Sequence, residues 1–253
     1  MPYIIAIAGK GGTGKTTIAG SLVRYIKEKK LGSVLVIDAD PNSNLGEFLG
    51  LNIKEDVGSI IEDIAKNPDQ IPKGISKDRF IDYRIQTSIV EDIGFDVLTM
   101  GLPEGPGCYC YANTVLRGII TKLAGDYDYI VIDNEAGMEH LSRRTMRKAD
   151  YLLVISDHSL VGVKTAKKII NLINKLKIDI KNIALIINRV KGKSQIFDSE
   201  LSDLKLNLIS TLPQDPDLSV LNKNSKSIFL LKNNSLFYKS LKNTLKKLKL
   251  SAI

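Results

Sequence analysis

The most specific chemistry in the chain sits in Gly9-Lys10-Gly11-Gly12-Thr13-Gly14-Lys15-Thr16-Thr17. Gly9, Gly14, Lys15 and Thr16 fit the spacing G-x-x-x-x-G-K-[ST], the pattern of a loop that cradles phosphate. Glycines let consecutive backbone N–H groups turn inward around phosphate oxygens. Lys15 would place a fixed positive charge on the β- and γ-phosphates, and the Thr16 hydroxyl would face Mg²⁺. An apolar run before the loop and a helical pattern after it supply the expected setting, with the helix dipole favouring an anion. The competing reading is a glycine-rich turn that binds nothing, and it leaves that setting unexplained.

Two further stretches end in carboxylates. One runs into Asp38-Ala39-Asp40, where residues i and i+2 on a strand end point the same way. The other is Ile130-Val131-Ile132-Asp133, an acid after apolar residues, placed to hold Mg²⁺ through water. Each alone is a common strand-end carboxylate; beside a phosphate loop they form a set. For base recognition there is Asn188, whose amide can pair with both a donor and an acceptor, and the turn Pro213-Gln214-Asp215. Either could instead be turn chemistry.

Both cysteines lie in Gly105-Pro106-Gly107-Cys108-Tyr109-Cys110-Tyr111. In extended backbone, i and i+2 side chains share a side with Cα atoms about 6.6 Å apart. Cys108 and Cys110 could then share one soft metal, and a symmetric dimer would raise two thiolates to the four of a closed site. Four thiolates suit Zn²⁺ as well as Ni²⁺, so zinc is an expected competitor. The alternatives are a pair of small packing residues, or a Cys₂His₂ site within one chain completed by His140 and His158.

Lys10, directly after the first glycine, is not required by the general pattern. Lys-Gly-Gly-x-Gly-Lys-Thr resembles the deviant Walker A loop of the P-loop family that includes MinD, ParA and the nitrogenase iron protein. That resemblance implies that Lys10 crosses a homodimer interface to the partner's nucleotide. It also implies that Asp40 orients the attacking water, that Asp38 supports the Mg²⁺ shell, and that Asn188, Pro213 and Asp215 contact adenine. With the Cys-x-Cys pair and the run Asp133-Asn134-Glu135-Ala136-Gly137-Met138-Glu139-His140-Leu141-Ser142-Arg143-Arg144, the chain looks like the CooC-type ATPases, which mature nickel enzymes such as carbon monoxide dehydrogenase. A maturation factor for acetyl-CoA synthase is similar, so either enzyme could be the client. The resemblance spans Tyr3 to about Asp215 and implies ATP, Mg²⁺ and Ni²⁺ as ligands. Two other classes compete. An iron-protein-like Fe–S reductase would draw a ligand from the segment after Asp133, which has no cysteine here. A MinD- or ParA-like positioning ATPase would put the basic tail on membrane or DNA.

The elements that must position these residues follow from the apolar pattern. Residues 3–8, 33–37, 95–99, 129–132, 151–155, 183–187 and 206–210 read as buried strands. Residues 15–30, 58–65, 112–124, 139–148, 161–176, 198–204 and 236–248 read as helices. Their alternation predicts an α/β fold with a mostly parallel sheet flanked by helices on both faces, in one domain over 1–253. Residues 66–86, with Pro68, Pro72 and Gly74, read as an irregular surface excursion.

The chain has 36 Lys and Arg against 28 Asp and Glu, a net charge of +8. From Leu218 onward there are eight lysines and no acid, so the rest balances at 28 against 28. Phe237, Leu241, Leu245 and Leu248 line one face of the basic C-terminal helix at about 235–249, which suits a closing helix packed on the sheet. Nucleic acid and membrane are therefore not the expected partners. With two cysteines, and no apolar run near the roughly 18 residues of a membrane span, the expected location is cytoplasmic.

Overall fold

The computed structural model describes residues 1–101, 108–135, 148–192, 206, 208–248 and 250. Eight strands form one sheet: β1 (Tyr3–Gly9), β2 (Val34–Ala39), β3 (Val90–Asp92), β4 (Phe95–Thr99), β5 (Tyr129–Asn134), β6 (Lys148–Asp157), β7 (Asp179–Val190) and β8 (Leu208–Pro213). Their order is β3-β4-β2-β5-β1-β6-β7-β8, and only the β3–β4 pair is antiparallel. The central strands are near-continuous Ile, Val, Leu and Ala because both faces are covered.

Side-chain parity sorts the core into two layers. Ile4, Ala6, Leu35, Ile37, Leu98, Ile130 and Ile132 face α3 (Val57–Lys66), α4 (Lys77–Ser88), α5 (Cys108–Leu123) and α6 (Leu160–Leu176). Ile5, Ile7, Val34, Val36, Val97 and Val131 face α1 (Lys15–Lys29), the short α2 (Leu45–Phe48), α7 (Pro216–Lys223) and α8 (Leu236–Lys247). The doubly covered parallel sheet expected from the alternation is the observed fold.

The excursion expected at 66–86 is more ordered than its prolines suggested. A 3₁₀ turn occupies Pro68–Gln70, and α4 begins at Lys77 behind Ser76, whose hydroxyl accepts from the Arg79 amide. Only Ile81 and Ile85 of α4 are buried, an i, i+4 pair too sparse to stand out as a helical stripe. Arg84 of α4 donates to Glu55 at 2.8 Å and to Asp63 at 3.4 Å, tying it to α3. The strand expected at 206–210 begins two residues later and runs on to Pro213. Of the helices expected at 139–148 and 198–204, residues 139–147 and 198–204 lie outside the described residues, and Lys148 opens β6.

The basic tail folds onto the sheet. Phe237, Leu241, Leu245 and Leu248 are buried in the α1-side core, while Lys239, Lys246 and Lys247 stay exposed. The guanidinium of Arg24, on α1, donates to the carbonyls of Ile228 (2.8 Å) and Leu231 (2.7 Å), to Asn233 Oδ1 (3.1 Å) and to Glu28 (2.6 Å), and stacks over Tyr238 at 4.2 Å. The helix that follows the phosphate loop is thereby clamped to the C-terminal segment. Among the described residues no helix is long and apolar enough to cross a membrane.

Candidate functional site

The loop Gly9–Lys15 leaves the carboxyl end of β1, which lies between β5 and β6. Ligands in open parallel sheets bind at such strand ends. A Cβ on Gly9 would lie 2.2 Å from the Ile155 carbonyl, so only glycine lets β1 turn away so close to β6. Gly14 has φ +96°, and a Cβ there would fall 2.5 Å from the Asn188 amide nitrogen. Thr13 pins the loop by donating its hydroxyl to the Lys10 carbonyl at 2.8 Å and approaching that of Ile155 at 3.4 Å.

Helix α1 starts at Lys15 with no side-chain cap among the described residues and no acid in its first turn. Its first-turn amides are therefore left to an anion. Lys15 and Thr17 are buried, while Lys10 and Thr16 are half-buried and Gly11 and Gly12 exposed. Exposure thus falls from the glycine tip of the loop to the Lys15 cation at the start of α1.

Asp38 and Asp133 are register partners at the ends of β2 and β5, each with no solvent exposure. Asp38 accepts from the Asp40 amide at 3.2 Å and the Leu45 amide at 2.9 Å. Among the described residues neither carboxylate oxygen of Asp133 meets the geometry of a hydrogen bond, although the Thr16 hydroxyl lies close enough to favour its charged form. Burial pushes the Asp133 carboxyl up to about 7; the Thr16 hydroxyl pulls it down, Asp38 pushes it up again and Lys15 offsets part of this. Burial also takes Asp38 to about 7, against the pull of its two amide donors. Two buried acids side by side, one with unmet oxygens, are what a divalent cation compensates. Asp40 stands outside this pair, half-exposed, its side chain accepting from the amide of Asn42 at 3.0 Å and its side-chain NH₂ at 2.8 Å.

On the other flank, Asn188, Pro213 and Asp215 line a cavity of ≈ 310 Å³ with Thr17, Arg189, Gln214 and Phe237. The side chains expected to read a base are already engaged. Asn188 donates to the Thr13 carbonyl at 2.8 Å and accepts from the Arg189 amide at 2.9 Å. Asp215 accepts from the amides of Asp217 (2.9 Å) and Leu218 (3.2 Å) at the start of α7, and from the Ser235 hydroxyl (2.7 Å) and Phe237 amide (3.1 Å) at the start of α8. Burial opposes ionisation of Asp215, but these four donors outweigh it and hold its carboxyl below the usual range. The Asp215 carboxylate thereby ties the starts of α7 and α8 together at the cavity wall.

The extended Cys-x-Cys geometry is also corrected. Cys108 and Cys110 occupy the first turn of α5, where each residue turns by about 100° rather than alternating sides. The shared-side argument from strand spacing does not apply to a helical turn. His158 is exposed at the end of β6, and His140 lies outside the described residues. Among the described residues no group of three or more His, Cys, Asp or Glu could hold a metal.

Sequence reasoning passed over Asp157, which ends β6 opposite Asn188. It accepts from the Ser159 amide at 2.9 Å and from the Ser159 hydroxyl. Burial raises its carboxyl, but Ser159 and the charges of Lys10 and His158 outweigh this and bring it below the ordinary range. Its position at a strand end, like those of Asp38 and Asp133, was the available signal.

The family described as "AAA domain" matches residues 2–187. An uncharacterized ATP-binding protein of Methanocaldococcus jannaschii is 42% identical over 97% of this chain and 98% of its own length. The carbon monoxide dehydrogenase accessory protein CooC of Rhodospirillum rubrum is 31% identical over 83% of each chain. Among solved structures, the septum site-determining protein MinD of Pyrococcus horikoshii, complexed with Mg-ADP, superposes with a TM-score of 0.69 over 99% of this chain and 94% of that one, at 20% identity. The last likeness is one of fold.

Proposed function

We propose a metal-delivery role for this protein on one premise: the chain belongs to the AAA domain family, and it is an ATPase. In this reading the amides of Gly11, Gly12 and Gly14 wrap the phosphates, Lys15 neutralises them, and Thr16 and Thr17 close the start of α1 over them. Bound Mg²⁺ would supply charge neutralisation at the transferring phosphoryl group, held by Thr16 with Asp38 and Asp133. The unmet oxygens of Asp133 fit that role. Asp40, half-exposed outside the buried pair, orients the attacking water. Lys10 reaches the nucleotide of a partner subunit in an ATP-dependent homodimer. Base contacts fall to the cavity lined by Asn188, Pro213 and Asp215.

The cargo is Ni²⁺, taken by Cys108 and Cys110 together with their mates across the dimer, and the client is a nickel enzyme such as carbon monoxide dehydrogenase or acetyl-CoA synthase. The observation that carries this reading is the identity to the carbon monoxide dehydrogenase accessory protein over most of both chains. The Cys-x-Cys pair gives that likeness a chemical correlate. A positioning role akin to MinD is favoured by the fold likeness, but the apolar face it would use on a membrane is buried in α8. Equilibrium dialysis against Ni²⁺, with ADP and ATP, tests the proposal. One ion per dimer, nearly lost in either Cys108→Ser or Cys110→Ser, is expected. One ion per chain, or unchanged binding in both variants, would refute the shared site.

A further inference from the structure

Asp38 and Asp133 belong to a longer buried row. Thr99, the last residue of β4, is the register partner of Asp38 on the side away from Asp133. Adjacent strands lie about 4.8 Å apart, so the three residues stand side by side across β4, β2 and β5. Parity puts them on one face. Phe95 and Val97 lead to Thr99, Val34 and Val36 to Asp38, Tyr129 and Val131 to Asp133, and all six apolar residues belong to the α1-side core. The row therefore begins where that core ends, on the face that carries the phosphate loop and α1.

Thr99 is 3% exposed, and its hydroxyl has no partner among the described residues. Only three buried side-chain polar atoms among the described residues are unpaired, and all three are in this row: Thr99 Oγ1 and the two oxygens of Asp133. A buried hydroxyl left unmet costs free energy that an apolar residue of the same shape would avoid. Valine has that shape and suits strands, so neither packing nor propensity calls for threonine at this place.

We propose that Thr99 is a positioning residue for the divalent cation, its hydroxyl holding a cation-bound water on the β4 side of Asp38. A hydroxyl offers one donor and two acceptor sites. It can therefore take a hydrogen from such a water while donating toward Asp38, whose oxygens, among the described residues, otherwise meet only the amides of Asp40 and Leu45. The cation would be oriented from outside its ligand shell, a role whose loss commonly weakens metal affinity 10–100-fold. This inference rests on the reading that Mg²⁺ sits against Asp38 and Asp133.

The test titrates Mn²⁺ into the protein–ADP complex, following free Mn²⁺ by electron paramagnetic resonance. Thr99→Val should weaken Mn²⁺ binding about tenfold. Thr99→Ser should bind as the wild type does, and ADP affinity in EDTA should be unchanged in both. The metal-free Thr99→Val protein should melt no lower than the wild type. Wild-type Mn²⁺ affinity in Thr99→Val would overturn the proposal, as would a serine variant as weak as the valine one. So would a lower melting temperature, or an equal loss of metal-free ADP affinity, since either assigns the hydroxyl to the fold. Asp133→Asn is the control: normal Mn²⁺ affinity there removes the cation site itself, whereas a defect there with none in Thr99→Val removes only Thr99.

Discussion

Replacing Asp133 by Asn should make the empty protein more stable while removing its Mg²⁺-dependent turnover. A carboxyl at about 7 in the fold against an ordinary 3.8 carries an ionisation penalty of at most about 4 kcal/mol, at about 1.4 kcal/mol per unit. The amide keeps part of the cost, because its own polar atoms meet no more partners than the acid did. A net gain of about 2 kcal/mol at pH 8 is expected, or roughly 4–8 °C in Tm for a chain of this size. The sign follows from proton linkage. Between about pH 4 and pH 7 the folded protein holds protons that the unfolded chain has released. Wild-type stability should therefore fall as pH rises through that window and level off above it. In Asp133→Asn this slope should shrink, since Asp38 also loses a charged neighbour, and the variant's advantage should disappear near pH 5. Thermal unfolding of nucleotide-free, metal-free protein at pH 5 and pH 8 measures all of this. Wild-type stability that is flat over that range, or a variant that melts lower at pH 8, would refute the argument that an uncompensated buried charge waits at this strand end.

Lys15→Ala should lose nucleotide affinity by about 10–100-fold, the worth of hydrogen bonds to a charged group, whereas Lys10→Ala should keep most of its affinity and lose ATP-dependent dimerisation; calorimetry and light scattering separate the two. Gly14→Ala forces a side chain into φ +96° and onto the Asn188 amide, so it should cost about 1–3 kcal/mol and weaken ADP binding, read by thermal shift with and without ADP. Arg24→Met leaves two carbonyls without this donor and takes one of two donors from Glu28, which keeps the Tyr238 hydroxyl, and should destabilise the protein by about 3 kcal/mol, seen as a Tm lowered by roughly 6–12 °C.

The strands, the phosphate loop and the carboxylates at Asp38 and Asp133 were legible in the sequence because each is local. A buried strand declares itself by an unbroken apolar run, and the loop by fixed spacing. What escaped depends on contacts between distant segments. Helix α4 buries only Ile81 and Ile85 and owes its place to Arg84 reaching Glu55 and Asp63. Thr99 gains meaning only when β4 is set beside β2, which no pattern within 95–99 reveals. For Asn188 and Asp215 the sequence leaves base contact and turn chemistry both open; that one is bonded to Thr13 and the other to two helix starts is a fact of tertiary structure. The helical backbone at Cys108 and Cys110 is hidden in the sequence because Gly105-Pro106-Gly107 reads as loop, and the helix begins immediately after it.

The double duty of Asp215 makes the C-terminal tail a hidden part of the nucleotide pocket. Cutting the chain after Asn234 removes Ser235 and Phe237, two of the four donors on that carboxylate, and strips a wall residue from the cavity in the same stroke. Such a truncation would leave a surplus of negative charge at the start of α7, where only Asp217 and Leu218 still answer it. A shortened protein that no longer retains ATP would thus have lost a hinge-pin of its binding pocket, and its failure to bind a membrane, a nucleic acid or a client would say nothing about the lysines it had shed.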